Sequence, residues 1–123
     1  ISCERLPAMA KFGFLGLGMV RVSGESMAPT FRDSDLLFVR WFSKVEKELR
    51  LTMVVVIERE VMPGVFFIKR IQKSHGGAYW VEGDNRDPEI ESRVNDSRSW
   101  GYIAANEVRG KVLFRFKPLL RRN

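Results

Sequence analysis

Short apolar runs bounded by turn residues recur along the chain: Gly18–Ser23, Leu36–Trp41, Met53–Glu58, Val65–Lys73, Ala78–Glu82 and Val108–Phe116. Runs of this length, rich in Val, Ile and Phe and closed by Gly, Pro, Asp or Asn, predict β-strands rather than helices. Ser74-His75-Gly76-Gly77 separates the fourth run from the fifth and reads as a hairpin loop, which makes His75 a loop residue rather than a ligand or catalyst. Helical signals are sparse. Phe42–Leu51 mixes Lys, Glu and Leu and is compatible with a short turn of helix, as is Ala104–Val108. The expected fold is mainly antiparallel β, a small curved sheet or partial barrel, with no internal repeat and no low-complexity linker.

The alternation singles out Lys69. In Gly64–Ile71, strand geometry places Lys69 on one face with Val65, Phe67 and Ile71, and Arg70 on the other. An ammonium on an apolar face is desolvated and its pKa falls. Neutrality near pH 7 needs a drop of ~3 pH units from ~10.4, or about 4 kcal/mol. The plainer reading is an edge lysine whose stem covers apolar surface while its head reaches water. The strand pattern leaves both open. The other six lysines stand in polar or terminal surroundings.

Composition narrows the class. A chain of 123 residues with 45% apolar content suits one compact domain and excludes wholesale disorder. The net charge of +6 suits nucleic acid or an anionic membrane surface equally well. Cys3 is the one cysteine, so no internal disulfide forms; placed near the chain start, it reads as an inert thiol in a loose terminus. With one histidine besides, no metal site is expected. The apolar stretch Leu6–Val20 is broken by Pro7 and Lys11 and carries three glycines, short of the ~20 apolar residues of a membrane span. The basic end, Arg115 to Arg122, reads as a solvated tail, with contact to anionic lipid as the alternative.

The candidate chemistry starts at Val22-Ser23-Gly24-Glu25-Ser26-Met27-Ala28-Pro29-Thr30. A strand ends, Gly24 permits an irregular backbone, and Pro29 fixes the exit. Such a junction can present the Ser26 hydroxyl beside free backbone N–H groups. A serine nucleophile needs a base within hydrogen-bond reach. The single histidine sits on the hairpin loop, so a Ser-His-Asp triad does not fit. A lysine of lowered pKa remains, and Lys69 has the surroundings for it. Gly83-Asp84-Asn85-Arg86-Asp87 and Asn95-Asp96-Ser97-Arg98-Ser99-Trp100-Gly101 read as turns between strands, braced by ion pairs.

In this order the segments resemble the type I signal peptidases and their mitochondrial inner-membrane and organellar relatives. The matching blocks are Ser26-Met27-x-Pro29-Thr30, Asp35-Leu36-Leu37, Lys69-Arg70, Gly83-Asp84-Asn85, and Asp96-Ser97-Arg98 with Gly101. Each is weak alone; in register across Val20 to Phe116 they are specific. The resemblance implies a mainly β fold, small coiled antiparallel sheets forming a signal peptidase-like or LexA-like partial barrel, in which Ser26 is the nucleophile and Lys69 its general base. Ser23, Gly24 and Met27 would line the oxyanion region around the Ser26 N–H. Gly83, Asp84, Asn85, Asp96, Ser97 and Arg98 would support the site. It further implies an endopeptidase without metal or cofactor that removes a leader from a protein precursor, with small residues at the first and third positions before the cut. Residues 1–17 would approach, or be the remnant of, a membrane anchor, and residues 18–123 would form the catalytic domain. The membrane-associated domain would lie on the non-cytoplasmic face, with a cytoplasmic location as the alternative.

The chain departs from the family pattern in places. Gly24 stands where some members carry an oxyanion-stabilising serine, so a backbone donor or Ser23 would serve. Ser34-Asp35 replaces a Gly-Asp, and Thr52-Met53 stands where another is usual. Val94 stands where a serine often bonds the lysine, and Ser92 is the candidate substitute. The compact core also resembles soluble maturation peptidases of nickel-type superoxide dismutase. A LexA-like self-cleaving regulator shares the Ser-Lys pair, but too little chain precedes Ser26 for a helix-turn-helix. A basic β module binding nucleic acid would need exposed aromatics among basic residues; Trp80 and Phe114 are expected in the core instead, so no nucleic-acid partner is expected.

Overall fold

A computed structural model describes residues 3–6, 16–89 and 95–116. The apolar runs form strands β2 (Leu17–Val22), β3 (Leu36–Trp41), β4 (Val54–Glu58), β5 (Phe66–His75), β6 (Ala78–Glu82) and β8 (Val108–Arg115). Two short strands join them, β1 (Cys3–Leu6) and β7 (Ile103–Ala104). All pairings are antiparallel, in the order β1-β2-β3-β8-β4-β5-β6-β7. Cys3 pairs with Val22 of β2 and also with Phe66 of β5, so six strands close into a ring. The mainly β, partial-barrel expectation holds.

The ring has two apolar faces. Inward, Val20, Val22, Leu37, Val39, Val56 and Ile68 form a core with Cys3 and Met27, all nearly inaccessible. Outward, Val55, Ile57, Phe67 and Ile71 of β4 and β5 pack under Val81, Ile103 and Val108. Thus β6 and β7 cover one side of the ring, and Val108 at the start of β8 joins this outer cluster. Each fully buried Val, Ile or Phe is worth about 1.5–3 kcal/mol.

Several local expectations change. β5 continues to His75, so the hairpin turn is Gly76-Gly77 alone, with both glycines at positive φ (57° and 83°). Such a two-residue turn matches the twist of its strands. His75 thus ends the strand, exposed. Phe42–Leu51 holds no helix; Ala105–Glu107 is a single 3₁₀ turn. A helix does form at Ser97–Trp100 (α1), in a segment expected to be a turn, because the Asp96 carboxylate accepts the Arg98 N–H and caps it. Cys3 is not in a loose terminus: it is 1% exposed inside the ring, and burial pushes its thiol up to about 12, which keeps it inert.

Phe114 and Trp80, expected in the core, both face outward. A bulge between Phe38 and Val39 re-registers β8, so Val112 faces the interior while Phe114 stacks outside on Phe38 at 4.8 Å and is 56% exposed. Trp80 is half-buried, with the Lys73 ammonium 4.8 Å above its ring and Tyr102 at 5.2 Å.

Candidate active site

Ser26 lies in the loop between β2 and β3. The loop is closed by Val22 N–H to Asp35 O and Ser34 N–H to Val22 O, both at 2.8 Å. Gly24 adopts φ 85°, and its N–H donates to Asp33 Oδ1 at 2.8 Å. That donor is therefore committed to holding the loop. Met27 plunges into the ring interior, 1% exposed, and pins the residue after Ser26. Among the described residues nothing accepts from the Ser26 N–H. Ser23 is half-buried and its hydroxyl makes no hydrogen bond among the described residues.

Lys69 stands at the middle of β5, opposite Val55 of β4 and between Phe67 and Ile71 on the outer face. It is 1% exposed. The alternation expectation is met: Phe67 belongs to the outer cluster, packed edge-on against Trp100 at 5.1 Å, and Phe66 packs towards the inner one, against Trp41 at 5.5 Å. Burial lowers the Lys69 pKa from 10.5 to about 8; the Asp96 carboxylate nearby works against this and the Arg98 guanidinium works with it. No carboxylate comes within ion-pair distance of Lys69 among the described residues.

The Gly83–Asn85 segment, leaving β6, ties these elements together. Asn85 donates its N–H to Ser26 O at 2.9 Å and its side-chain amide to Glu25 O at 2.8 Å. Asp84 accepts both Arg70 Nε at 2.9 Å and Arg70 Nη2 at 2.8 Å, and the Thr30 hydroxyl at 2.6 Å. Burial alone would raise the Asp84 carboxyl, but the bonds from Arg70 and Thr30 outweigh it and hold the pKa below the usual value. Gly83 donates to Asp96 Oδ2 at 3.0 Å. Asp96 is fully buried and forked by Arg98, with Nη2 at 2.6 Å and Nε at 3.1 Å. Burial would raise its carboxyl too; the bonds from Arg98 and Gly83 reverse the sign and keep it ionised. Ser97 Oγ accepts the Val81 N–H at 2.9 Å, fastening α1 to β6.

The sequence-predicted residues thus fall into two joined groups. Asp84 and Asn85 grip the Ser26 loop, while Asp96, Ser97 and Arg98 form the polar edge near Lys69. Gly83 connects the groups. Ser92 and Val94 lie outside the described residues. Sequence reasoning gave no role to Arg70 or Thr30, the two partners of Asp84. A signal existed: alternation sets Arg70 on the strand face opposite Lys69, and a partly buried guanidinium there needs an acid. Arg59 was also missed. Its guanidinium sits 4.7 Å over Trp100 and bonds the buried Glu107 at 2.9 Å, bracing the aromatic wall beside Lys69.

The ring of antiparallel strands thus carries a buried lysine that has no ion-pair partner among the described residues, and a serine loop braced by Asn85. A family model described as peptidase S24-like matches residues 15–106. The chain belongs to this family. It is also similar, over most of its length, to mitochondrial inner membrane protease subunit 1. The human protein is 29% identical, over 91% of this chain and 76% of its own. The mouse protein is 27% identical over 90% and 75%, and that of Xenopus tropicalis 28% over 91% and 75%. These relationships make the chain a type I signal peptidase-like protein, a protease of the leader-processing kind acting on protein substrates. Among the described residues no helix is long and apolar enough to cross a membrane.

Proposed function

We propose that the protein is a serine endopeptidase that removes an N-terminal leader from protein precursors, with Ser26 as nucleophile and Lys69 as general base. The observation that carries this reading is the state of Lys69: buried, unpaired with any described carboxylate, and held near a pKa of about 8 by its apolar wall. A lysine so tuned has an appreciable neutral fraction at working pH.

In this mechanism the neutral Lys69 amine takes the Ser26 hydroxyl proton as Oγ attacks the scissile carbonyl carbon. The oxyanion forms beside the uncommitted Ser26 N–H, with the Ser23 hydroxyl as second donor. Collapse expels the leaving amine, which receives the proton from the Lys69 ammonium. Water then attacks the Ser26 ester with Lys69 again as base, releasing the leader carboxylate. The Asp96–Arg98 pair keeps a fixed, compensated charge near Lys69. The Asp84–Arg70–Thr30 and Asn85 bonds hold the serine loop in register with β5. Small residues at the first and third positions before the cut are the expected specificity, and a membrane-associated domain on the non-cytoplasmic face the expected setting.

Ser26→Ala and Lys69→Ala should each abolish cleavage of a leader peptide ending in Ala-x-Ala while the melting transition persists. The double variant should lose little more, because members of a catalytic unit are non-additive. Turnover retained in either single variant overturns the assignment.

A further inference from the structure

Trp100 closes the four-residue helix α1 and belongs to the wall beside Lys69. Its ring meets Phe67 edge-on at 5.1 Å, and Phe67 stands two residues from Lys69 on the same strand face. So short a helix has little hold on a bulky side chain at its end, and Trp100 is only partly buried. What lies over its ring is the Arg59 guanidinium, 4.7 Å from the centroid. A guanidinium in that position is attracted by the negative face of the indole.

Arg59 is itself fixed. Its Nε donates to Glu107 Oε2 at 2.9 Å, and 17% of its side chain is exposed. Glu107, in the 3₁₀ turn before β8, is 7% exposed and also accepts the N–H groups of Glu60 at 3.0 Å and Ala104 at 3.3 Å. Burial would raise its carboxyl, but these donors and the guanidinium hold it below the usual carboxylate range, so it stays an anion. The Glu60 and Ala104 bonds tie the end of β4 to the turn without any help from Arg59. What Arg59 adds is the contact with Trp100. We propose that Arg59 is a positioning residue: anchored by Glu107, it presses Trp100 onto Phe67 and so keeps water from the Lys69 amine.

The weight of Arg59 in catalysis rests on Lys69 being the general base, but the cover itself is measured without turnover. Other charges surround Lys69: Asp96 and Arg98 from α1 and its cap, Lys111 of β8 beyond Val55, Glu58 of β4 paired with Arg109, and Glu82 of β6, which bears on Arg98. A test must therefore separate the charge of Arg59 from its cover. Protein carrying 13C-labelled lysine is titrated by NMR, the Lys69 resonance being the one lost in Lys69→Met. Arg59→Ala should raise the Lys69 pKa by about one pH unit as water reaches the amine. Trp100→Leu should raise it about equally, although Arg59 keeps its charge there. Adding Arg59→Ala to Trp100→Leu should move it little further, because two parts of one cover are not additive. The shift should persist at high salt, which would screen a charge acting through solvent. Arg59→Lys still places a cation over the ring and should return most of the shift. In the rate profile, kcat/KM of Arg59→Ala should fall about tenfold at pH 7 and meet the parent's at high pH. If Arg59→Ala does not fold, Arg59→Ala/Glu107→Gln replaces it, since it strands no buried charge, and the same shift is expected. The proposal is overturned if the Lys69 pKa stays put when Arg59 is truncated. It also fails if Arg59→Ala moves that pKa as far in Trp100→Leu as in the parent, which would make Arg59 a distant charge and no more. A Lys69 pKa that rises while kcat/KM keeps the parent's pH dependence supports the cover and overturns the general-base assignment instead.

Discussion

The two sides of the ring are built from similar strands and end up in opposite circumstances. On β4 and β5 the outward Val55, Ile57, Phe67 and Ile71 lie under a second layer and are sealed from water. On β2, β3 and β8 the outward Met19, Phe38, Phe114 and Phe116 have no such cover among the described residues, and two of them are widely exposed. One transverse row crosses from the bare side to the covered one: Arg40, Lys111, Val55, Lys69. Three of its four side chains are cationic. Arg40 and Lys111 are half-buried, while Lys69 is 1% exposed and has its pKa lowered to about 8. Lys111 and Lys69 both face outward, and what separates them is the layer laid over Lys69. Cover lowers the pKa of a lysine; its absence leaves a basic, aromatic face.

The sharpest break of this comparison is Phe67→Ala. Phe67 is 2% exposed, packed on Trp100 and flanking Lys69. Truncating a buried phenylalanine costs about 3–5 kcal/mol through lost transfer energy and a cavity. Denaturant titration should show that loss. A cost below about 1 kcal/mol would mean that the second layer does not close on β5 as described.

Lys69→Met tests the cover through its penalty on charge. The folded pKa is about 8 against the usual 10.5. Below pH 8 the lysine is protonated in both states and the fold bears the full cost of the buried ammonium. Between about 8 and 10.5 the unfolded chain binds the extra proton, so stability rises with pH in that window. The interval corresponds to about 3 kcal/mol. Cys3 works the other way above pH 9, because its folded thiol holds its proton up to about 12 while the unfolded one releases it. The clean window is therefore pH 8 to 9. Met, of similar shape and no charge, should stabilise the fold by about 2–3 kcal/mol at pH 7, and the parent should gain on Met as pH rises through 8. A variant no more stable than the parent at pH 7 would place water at the amine.

On the proposed mechanism the same cover sets the acidic limb of the rate profile. That mechanism requires neutral Lys69, so kcat/KM should fall as pH drops through about 8. Phe67→Gln admits water beside the amine, raises its pKa and moves the limb to higher pH, with slower turnover at neutral pH. Phe66→Gln, on the inner face against Trp41, should lower the melting temperature more than it moves the limb. If Phe66→Gln moves the limb and Phe67→Gln does not, the tuning comes from elsewhere.

How much of this was legible in the sequence depends on the range of the interaction. The face on which Lys69 stands was legible because alternation is local and exact in period: two residues either side fix it; whether that face was covered or reached water stayed open. The braces were only half legible. Asp84 and Asn85 were chosen by resemblance, but their partners Thr30 and Ser26 stand 54 and 59 residues away in chain, and no local rule connects them. α1 was missed because four residues carry no periodic signal, only the Asp96 cap. β1 and β7 were missed for the same reason of length. Phe114 was assigned to the core because an aromatic in an apolar strand usually is; a one-residue bulge against β3 reversed its face. Whether an outward apolar face receives a second layer is a question of topology, and it was invisible in the strands themselves.

The smallest expected effect tests the bare side directly. Phe114→Ala removes a ring that is already 56% exposed and leaves no closed cavity. Its main loss is the contact with Phe38 at 4.8 Å, and an aromatic pair of this kind is worth about 0.5–1.5 kcal/mol. In buffer without lipid the variant should therefore unfold within about 1.5 kcal/mol of the parent, half or less of the Phe67→Ala cost. The value discriminates because both changes delete the same atoms from outward positions of the same ring. A face bare in solution yields a small number; a face already covered by the chain itself yields a number near that of Phe67. Equal costs for the two truncations would erase the difference between the two sides.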